Sequence, residues 1–321
     1  MSGDPAGHVA RPTIVPDSET PPRTQVRRFL RAADGVAVDA LYEPGAAGRT
    51  RRDPTTGEPV AAGKPGKPGR AGTARAAGTD VPTGPAAPRP VFVIAHGFTG
   101  DLDRPHVRRI AQVFGEYGAV VTFSFRGHGA SGGRSTVGDR EVLDLAAAVA
   151  WARGLGHARV VTVGFSMGGS VVLRHAALYG PEGGGARGRA AEHTDAVVSV
   201  SAPARWYYRG TAPMRRLHWL VMRPEGRLVG RYGFRTRIHH RAWDPVPLSP
   251  VEAAARITPV PLLIVHGDQD AYFPLDHPRT LAAAAGDHGE LWVEPGMGHA
   301  ENAAPGPLLH RIARWAVARA G

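Results

Sequence analysis

Ser166 stands in the run Val160-Val161-Thr162-Val163-Gly164-Phe165-Ser166-Met167-Gly168-Gly169. A β-branched stretch there leads straight into Gly-x-Ser-x-Gly, and residues 171–179 have helix-forming character. A serine on such a strand-to-helix turn is lifted above the sheet edge and set at the N-terminus of the next helix. Free backbone N–H groups and the helix dipole favour developing negative charge at that place. Gly164 and Gly168 suit the turn because a side chain at either position would crowd it. The chemistry favoured is attack by the hydroxyl on an acyl carbon, which needs a base to take the proton. The base works best when a carboxylate fixes its tautomer and stabilises its cation. Two later loops supply both groups. His266-Gly267-Asp268-Gln269-Asp270 carries two carboxylates, and Glu294-Pro295-Gly296-Met297-Gly298-His299 carries the histidine. The chain order is then serine, acid, histidine: Ser166, Asp270, His299.

These groups need strands that end beside one another. Val91-Phe92-Val93-Ile94-Ala95, Ala119-Val120-Val121-Thr122-Phe123, Val160–Phe165, Ala196-Val197-Val198-Ser199-Val200, Pro261-Leu262-Leu263-Ile264-Val265 and Leu291-Trp292-Val293 read as strands. Between them, Val107, Ile110, Ala111 and Phe114 recur at helical spacing, and residues 140–155 repeat apolar positions at Val142, Leu145, Val149 and Ala152. Leu308, Leu309 and Ile312 mark a closing helix, and Ser249-Pro250-Val251-Glu252 is a capping box that starts another. Strands alternating with helices imply a mostly parallel sheet covered on both faces, with ligands taken at the strands' C-terminal ends. Ahead of this block, residues 25–42 read as two strands around Asp34-Gly35, a hairpin signal.

Composition sets the outer bounds. The chain has 321 residues, of which 42% are hydrophobic, enough for one large α/β domain. Gly 42 and Pro 29 are high, and nine of each fall in the low-complexity tract 43–90, which contains Lys64-Pro65-Gly66-Lys67-Pro68-Gly69. That tract is expected to be a disordered insertion within a domain spanning 23–321, and residues 1–22 a disordered tail. Cys 0 excludes a thiolate nucleophile and thiolate metal sites. No stretch reaches the length of a membrane span and residues 1–22 hold no apolar signal core, so a cytoplasmic protein is expected. The net charge of +11 is almost entirely arginine spread along the chain, with lysine only at Lys64 and Lys67. It comes without a nucleic-acid-binding motif, so no specific nucleic-acid partner is expected. His266, Asp268 and Asp270 have no further histidine or carboxylate at ligand spacing, so neither a metal site nor a cofactor is expected.

Taken together, His96-Gly97-Phe98, Arg126-Gly127-His128-Gly129-Ala130-Ser131-Gly132, Gly164-Phe165-Ser166-Met167-Gly168-Gly169, His266-Gly267-Asp268-Gln269-Asp270 and Gly298-His299 closely resemble the α/β-hydrolase superfamily. The nearest branch is esterase/lipase-like and serine-aminopeptidase-like, and the resemblance runs from about Val26 to Ala320 apart from the insertion. It implies Ser166 as nucleophile, His299 as base and then acid, and Asp270 rather than Asp268 as the orienting carboxylate. Asp268 is left as a turn-stabilising residue. The oxyanion hole falls on the backbone N–H groups of Phe98 and Met167. Ser124 departs from the pattern, since many relatives carry an aspartate two residues before the arginine. His96 and His128 read as scaffold for the surrounding loops. The resemblance also places a lid after the sixth strand, at 202–257, where Trp206, Tyr207, Tyr208, Leu217, Trp219, Leu220 and Val221 are expected to line an acyl pocket. The lid's arginines and the pair His239-His240 read as solvated surface, and membrane-surface contact is the less favoured alternative.

The expected activity is hydrolysis of a small-molecule carboxylic ester through an acyl-enzyme. Thioesterase, acyltransferase and aminopeptidase chemistry would use the same residues. Epoxide hydrolase and dehalogenase chemistry is disfavoured, because those relatives carry an aspartate where this chain has Ser166. From another class, a non-catalytic ligand-binding member would have no need of an intact triad. A polyanion-binding role would have to rest on the tract 43–90.

Overall fold

The computed structural model describes residues 24–46, 89–180 and 191–320. The tail 1–22, most of the insertion 43–90 and most of the Gly-rich stretch 180–188 lie outside the described residues.

Eight strands form one sheet: β1 (Val26–Arg31), β2 (Ala37–Glu43), β3 (Val91–Ala95), β4 (Ala119–Phe123), β5 (Val160–Phe165), β6 (Ala196–Val200), β7 (Leu262–Gly267) and β8 (Gly289–Glu294). Their spatial order is β1-β2-β4-β3-β5-β6-β7-β8. β1 and β2 form the expected antiparallel hairpin, from Val26 opposite Tyr42 to Arg31 opposite Ala37. Its loop turns at Gly35, whose φ of 84° favours glycine. β2 is also antiparallel to β4, and all remaining pairs are parallel. Glu43 still pairs with Val120, so β2 runs one residue into the tract expected to be insertion.

The helices are α1 (Pro105–Phe114), α2 (Glu141–Gly154), α3 (Met167–Tyr179), α4 (Ala212–Met222), α5 (Pro224–Gly233), α6 (Pro250–Ala254), α7 (Asp276–Ala285), α8 (Ala300–Ala303) and α9 (Gly306–Arg319). Alternation along β3 shows how the sheet is sealed. Val91, Val93 and Ala95 face a core built with α2, α3, α6 and α7, while Phe92 and Ile94 face one built with α1 and α9. Both faces are dry, as an apolar parallel strand requires. Among the described residues, no helix is long and apolar enough to cross a membrane.

Two features of this topology position chemistry. Strand order reverses between the neighbours β3 and β5, so the loops after these strands diverge and leave a crevice at their C-terminal ends. Arg126, 2% exposed, joins the loop after β4 to α2 through Asp144 at 2.7 Å and to the hairpin loop through Asp34 at 2.6 Å. Burial raises the Asp144 carboxyl to about 6 even with this partner. Between β6 and β7 the chain runs through α4, α5 and α6 before re-entering the sheet. The expected capping box is present at α6, with the Ser249 N–H donating to Glu252 Oε2 at 2.8 Å, although the helix is short.

Candidate active site

Ser166 connects β5 to α3 with φ 51° and ψ −112°, a conformation that only a tightly constrained turn holds in a non-glycine residue. The turn closes because Gly164 and Gly168 have no side chains. A Cβ on Gly164 would lie 2.2 Å from the carbonyl oxygen of Gly168, and one on Gly168 would lie 2.2 Å from that of Ala95. The Ser166 N–H donates to Val200 O of β6 at 2.8 Å, anchoring the elbow to the next strand.

The loops after β7 and β8 meet this serine. His299 Nε2 lies 2.9 Å from Ser166 Oγ, and His299 Nδ1 lies 2.7 Å from Asp270 Oδ2. With Nδ1 as the donor to the carboxylate, Nε2 is left to accept from the serine hydroxyl. The side chain of Asp270 is 1% exposed, and its second oxygen accepts the N–H groups of Tyr272 (2.8 Å) and Phe273 (3.1 Å). Burial pushes its pKa up, but the hydrogen bond and charge of His299 outweigh this and hold the carboxyl below its usual range. Tyr272 stacks on the His299 ring at 4.2 Å and Phe273 meets it edge-on at 5.6 Å. Buried His266 lies 2.8 Å from the Phe273 carbonyl and keeps this loop closed around Asp270. Asp268 points elsewhere: it accepts the Gly296 N–H at 2.7 Å, tying the β7 loop to the β8 loop that carries His299.

The loop after β3 brings Phe98 to the same place. Phe98, Ser166 and Met167 share one pocket, and Met167 opens α3, so its N–H is among those a helix leaves free. The N–H groups on either side of Phe98 are pinned. Gly97 donates to Glu301 Oε1 at 2.9 Å, and Thr99, at φ 67°, donates to His128 Nε2 at 3.3 Å. His96 Nε2 accepts the Phe125 N–H at 3.0 Å, so its Nδ1–H faces Gly97 O at 2.7 Å. Burial lowers the pKa of His96 to about 3 and that of His128 to about 4, so both are neutral acceptors here. Glu301 was not singled out by sequence. It sits two residues beyond His299 and 204 residues from the N–H that it holds, and no local pattern announces such a contact.

The pocket over Ser166 has a volume of about 150 Å³ and largely apolar walls. Trp206 and Tyr207 line it. Trp219 and Leu220 do not. The pocket face of α4 is Met214, Leu217, His218, Val221 and Met222, a stripe at helical spacing, and Trp219 and Leu220 fall between its members. Trp219 is 48% exposed, and Leu220 is buried against α5, where its Cα lies 2.7 Å from the place a Gly226 Cβ would occupy. His239 also lines the pocket and so departs from the solvated reading, whereas His240 is exposed. Trp243 and Phe273 complete the wall. Trp243 donates its indole N–H to Thr136 O at 2.7 Å, and the Thr136 N–H donates in turn to buried Glu141 Oε1 at 2.8 Å.

The sequence matches known proteins in the same region. The profile of the alpha/beta hydrolase family matches residues 91–311. A monoacylglycerol lipase of Mycolicibacterium smegmatis is 30% identical over 243 residues, covering 68% of this chain and 84% of that protein. An esterase of Pyrococcus furiosus superposes with TM-score 0.60 at 18% identity, over 99% of this chain and all of the other. A serine hydrolase without a lid from Xanthomonas campestris gives 0.53 at 18% identity, over 94% and 96% of the two chains.

Proposed function

Because the chain belongs to the α/β-hydrolase family, a family of hydrolytic enzymes, we propose that it cleaves carboxylic esters through Ser166, His299 and Asp270. The observation that carries this reading is the hydrogen-bonded chain from Ser166 Oγ through His299 to Asp270, at 2.9 and 2.7 Å, on the wall of an apolar pocket. Ser166 Oγ attacks the ester carbonyl while His299 Nε2 takes its proton, and Asp270 stabilises the imidazolium. The backbone N–H groups of Phe98 and Met167 receive the developing oxyanion. His299 then passes the proton to the leaving alcohol, and a water activated by the same imidazole releases the acid from the acyl-enzyme.

The apolar walls suit the acyl chain of the substrate, with the α4–α6 segment acting as a cap over it. The likeness to a monoacylglycerol lipase supports a glycerol monoester as one such substrate. It also favours ester hydrolysis over thioester, acyl-transfer or amide chemistry at the same residues. The test is hydrolysis of p-nitrophenyl esters of increasing chain length, and of monoacylglycerols, by the wild type and Ser166→Ala side by side. Turnover should fall by about 10⁶ in the variant. Short to medium acyl chains should be preferred. Rates that climb steadily to water-insoluble esters would replace that preference with a long-chain lipase, and equal activity in both proteins would end the serine mechanism.

A further inference from the structure

A second cavity, of about 260 Å³, lies beside α5 and shares no lining residue with the pocket over Ser166. One wall is a single face of α5, with Pro224, Arg227 and Arg231 at helical spacing. Leu228 shares that face, and the other wall is formed by Arg134, Arg237, Ile238 and His240. The backbone of this second wall is fixed, since the Ser135 N–H donates to Arg237 O at 2.7 Å and the His239 N–H to Ser135 O at 2.8 Å. His239 and His240 therefore face different cavities, the first toward Ser166 and the second toward the arginines.

Four arginines thus line one space, with the Arg231 guanidinium lying 5.4 Å over the Tyr232 ring. Among the described residues, none of the four has a carboxylate partner within ion-pair distance, although nine other arginines do. Arg227 turns one nitrogen to the carbonyls of Val221 (3.2 Å) and Met222 (3.0 Å), and Arg237 turns one to Ser131 O. A guanidinium has five N–H donors, so each keeps others for a ligand. The Nε of Arg237 is buried with no hydrogen-bond partner. Pro224 is the first residue of α5, so the positive end of that helix dipole lies at the rim. The donors are forks of the kind that match oxyanions two bonds at a time.

We propose that this cavity binds a phosphate group, as a phosphomonoester or phosphodiester. A carboxylate has two oxygens and engages one or two forks, whereas a phosphate's tetrahedral oxygens reach donors on both walls at once. The phosphate is carried by a lipid headgroup or by a soluble molecule. Leu228 lines the cavity, and Val229 and Tyr232, exposed on the same helix, add apolar surface.

The site is separate from the proposed hydrolysis, so its test is binding rather than turnover. The full chain is titrated with inorganic phosphate by thermal melting, against chloride at matched ionic strength. In parallel it is sedimented with phosphatidylcholine vesicles with and without phosphatidic acid. Both are repeated with the double variant Arg134→Gln/Arg231→Gln, whose melting temperature without phosphate checks its fold. Saturable stabilisation by phosphate, weakened at least about tenfold in the variant, is the expected result. Sedimentation that requires both phosphatidic acid and the two arginines identifies a headgroup, and phosphate binding without it a soluble ligand. No saturable phosphate effect and no arginine-dependent vesicle binding in the wild type, or equal binding by a folded variant, overturns the proposal.

Discussion

Glu301 links the two halves of the proposed machinery. It follows His299 by two residues, is 5% exposed, and accepts the Gly97 N–H at 2.9 Å beside Phe98. Replacing it by alanine leaves that buried N–H without an acceptor, which costs about 1–3 kcal/mol of stability. It also frees the loop that aims the Phe98 N–H. Complete loss of an oxyanion donor costs about 3 kcal/mol of transition-state stabilisation, so a loosened one should lower kcat roughly 10- to 100-fold. KM should change little, because the oxyanion exists only after attack. Glu301→Gln keeps an oxygen where Oε1 stands and should recover most of both losses. The assay is steady-state hydrolysis of a soluble p-nitrophenyl ester over pH, with thermal melts of the same samples. The pH profile of kcat/KM should keep its shape, because the contacts of His299 with Ser166 and Asp270 are untouched. A Glu301→Ala protein that melts earlier yet keeps kcat within about twofold would refute the reasoning and leave Glu301 a packing residue. A displaced pH profile would refute it too, by locating the damage at the histidine.

Asp270→Asn should lower kcat by about 10⁴, because an amide no longer fixes the His299 tautomer. Asp268→Asn, which touches only the Gly296 N–H, should stay within about tenfold, and steady-state kinetics of the pair separates the two carboxylates. Stability should fall with acid, from pH 6.5 down to about 4. Unfolded, His96 and His128 take up protons near 6.5, whereas burial delays this to about 3 and about 4 in the fold, so the unfolded chain binds more protons across that window. His128 alone accounts for about 3 kcal/mol of the decline. Urea melts at stepped pH should show a flatter slope for His128→Asn, and an unchanged slope would contradict the assignment. On α4, Leu217→Trp should shorten the longest ester accepted and Trp219→Ala should not. A chain-length profile that responds to Trp219 instead would misplace the pocket wall.

The sheet and the turn that carries Ser166 were legible because both are encoded locally. An apolar run such as Val91–Ala95 buries every residue, and Gly164 and Gly168 announce a turn with no room for a Cβ. Asp270 stood apart from Asp268 only through the family pattern, and the geometry that separates them is which loop each carboxylate faces. Composition alone does not sort the apolar residues of α4, whereas helical spacing does: Met214, Leu217 and Val221 share a face that Trp219 and Leu220 do not. Trp243 and Glu301 acquire their roles from contacts across 107 and 204 residues, which no local periodicity records.

The hairpin register also bears on how the tract between β2 and β3 could be handled. Glu43 pairs with Val120 and Val91 with Ala119, so the chain leaves and rejoins the sheet at the N-terminal end of β4, away from Ser166. β4 alone separates the two strands, which sets the exit and the return about 10 Å apart, a gap that three or four residues span. Loop entropy grows only logarithmically with length, so a flexible linker of about 40 residues across the gap would cost only about 2 kcal/mol more than one of about four. That modest cost makes this junction the natural place to splice in a tag, a surface anchor or a partner domain, at the edge of the sheet opposite the strand ends that carry the serine.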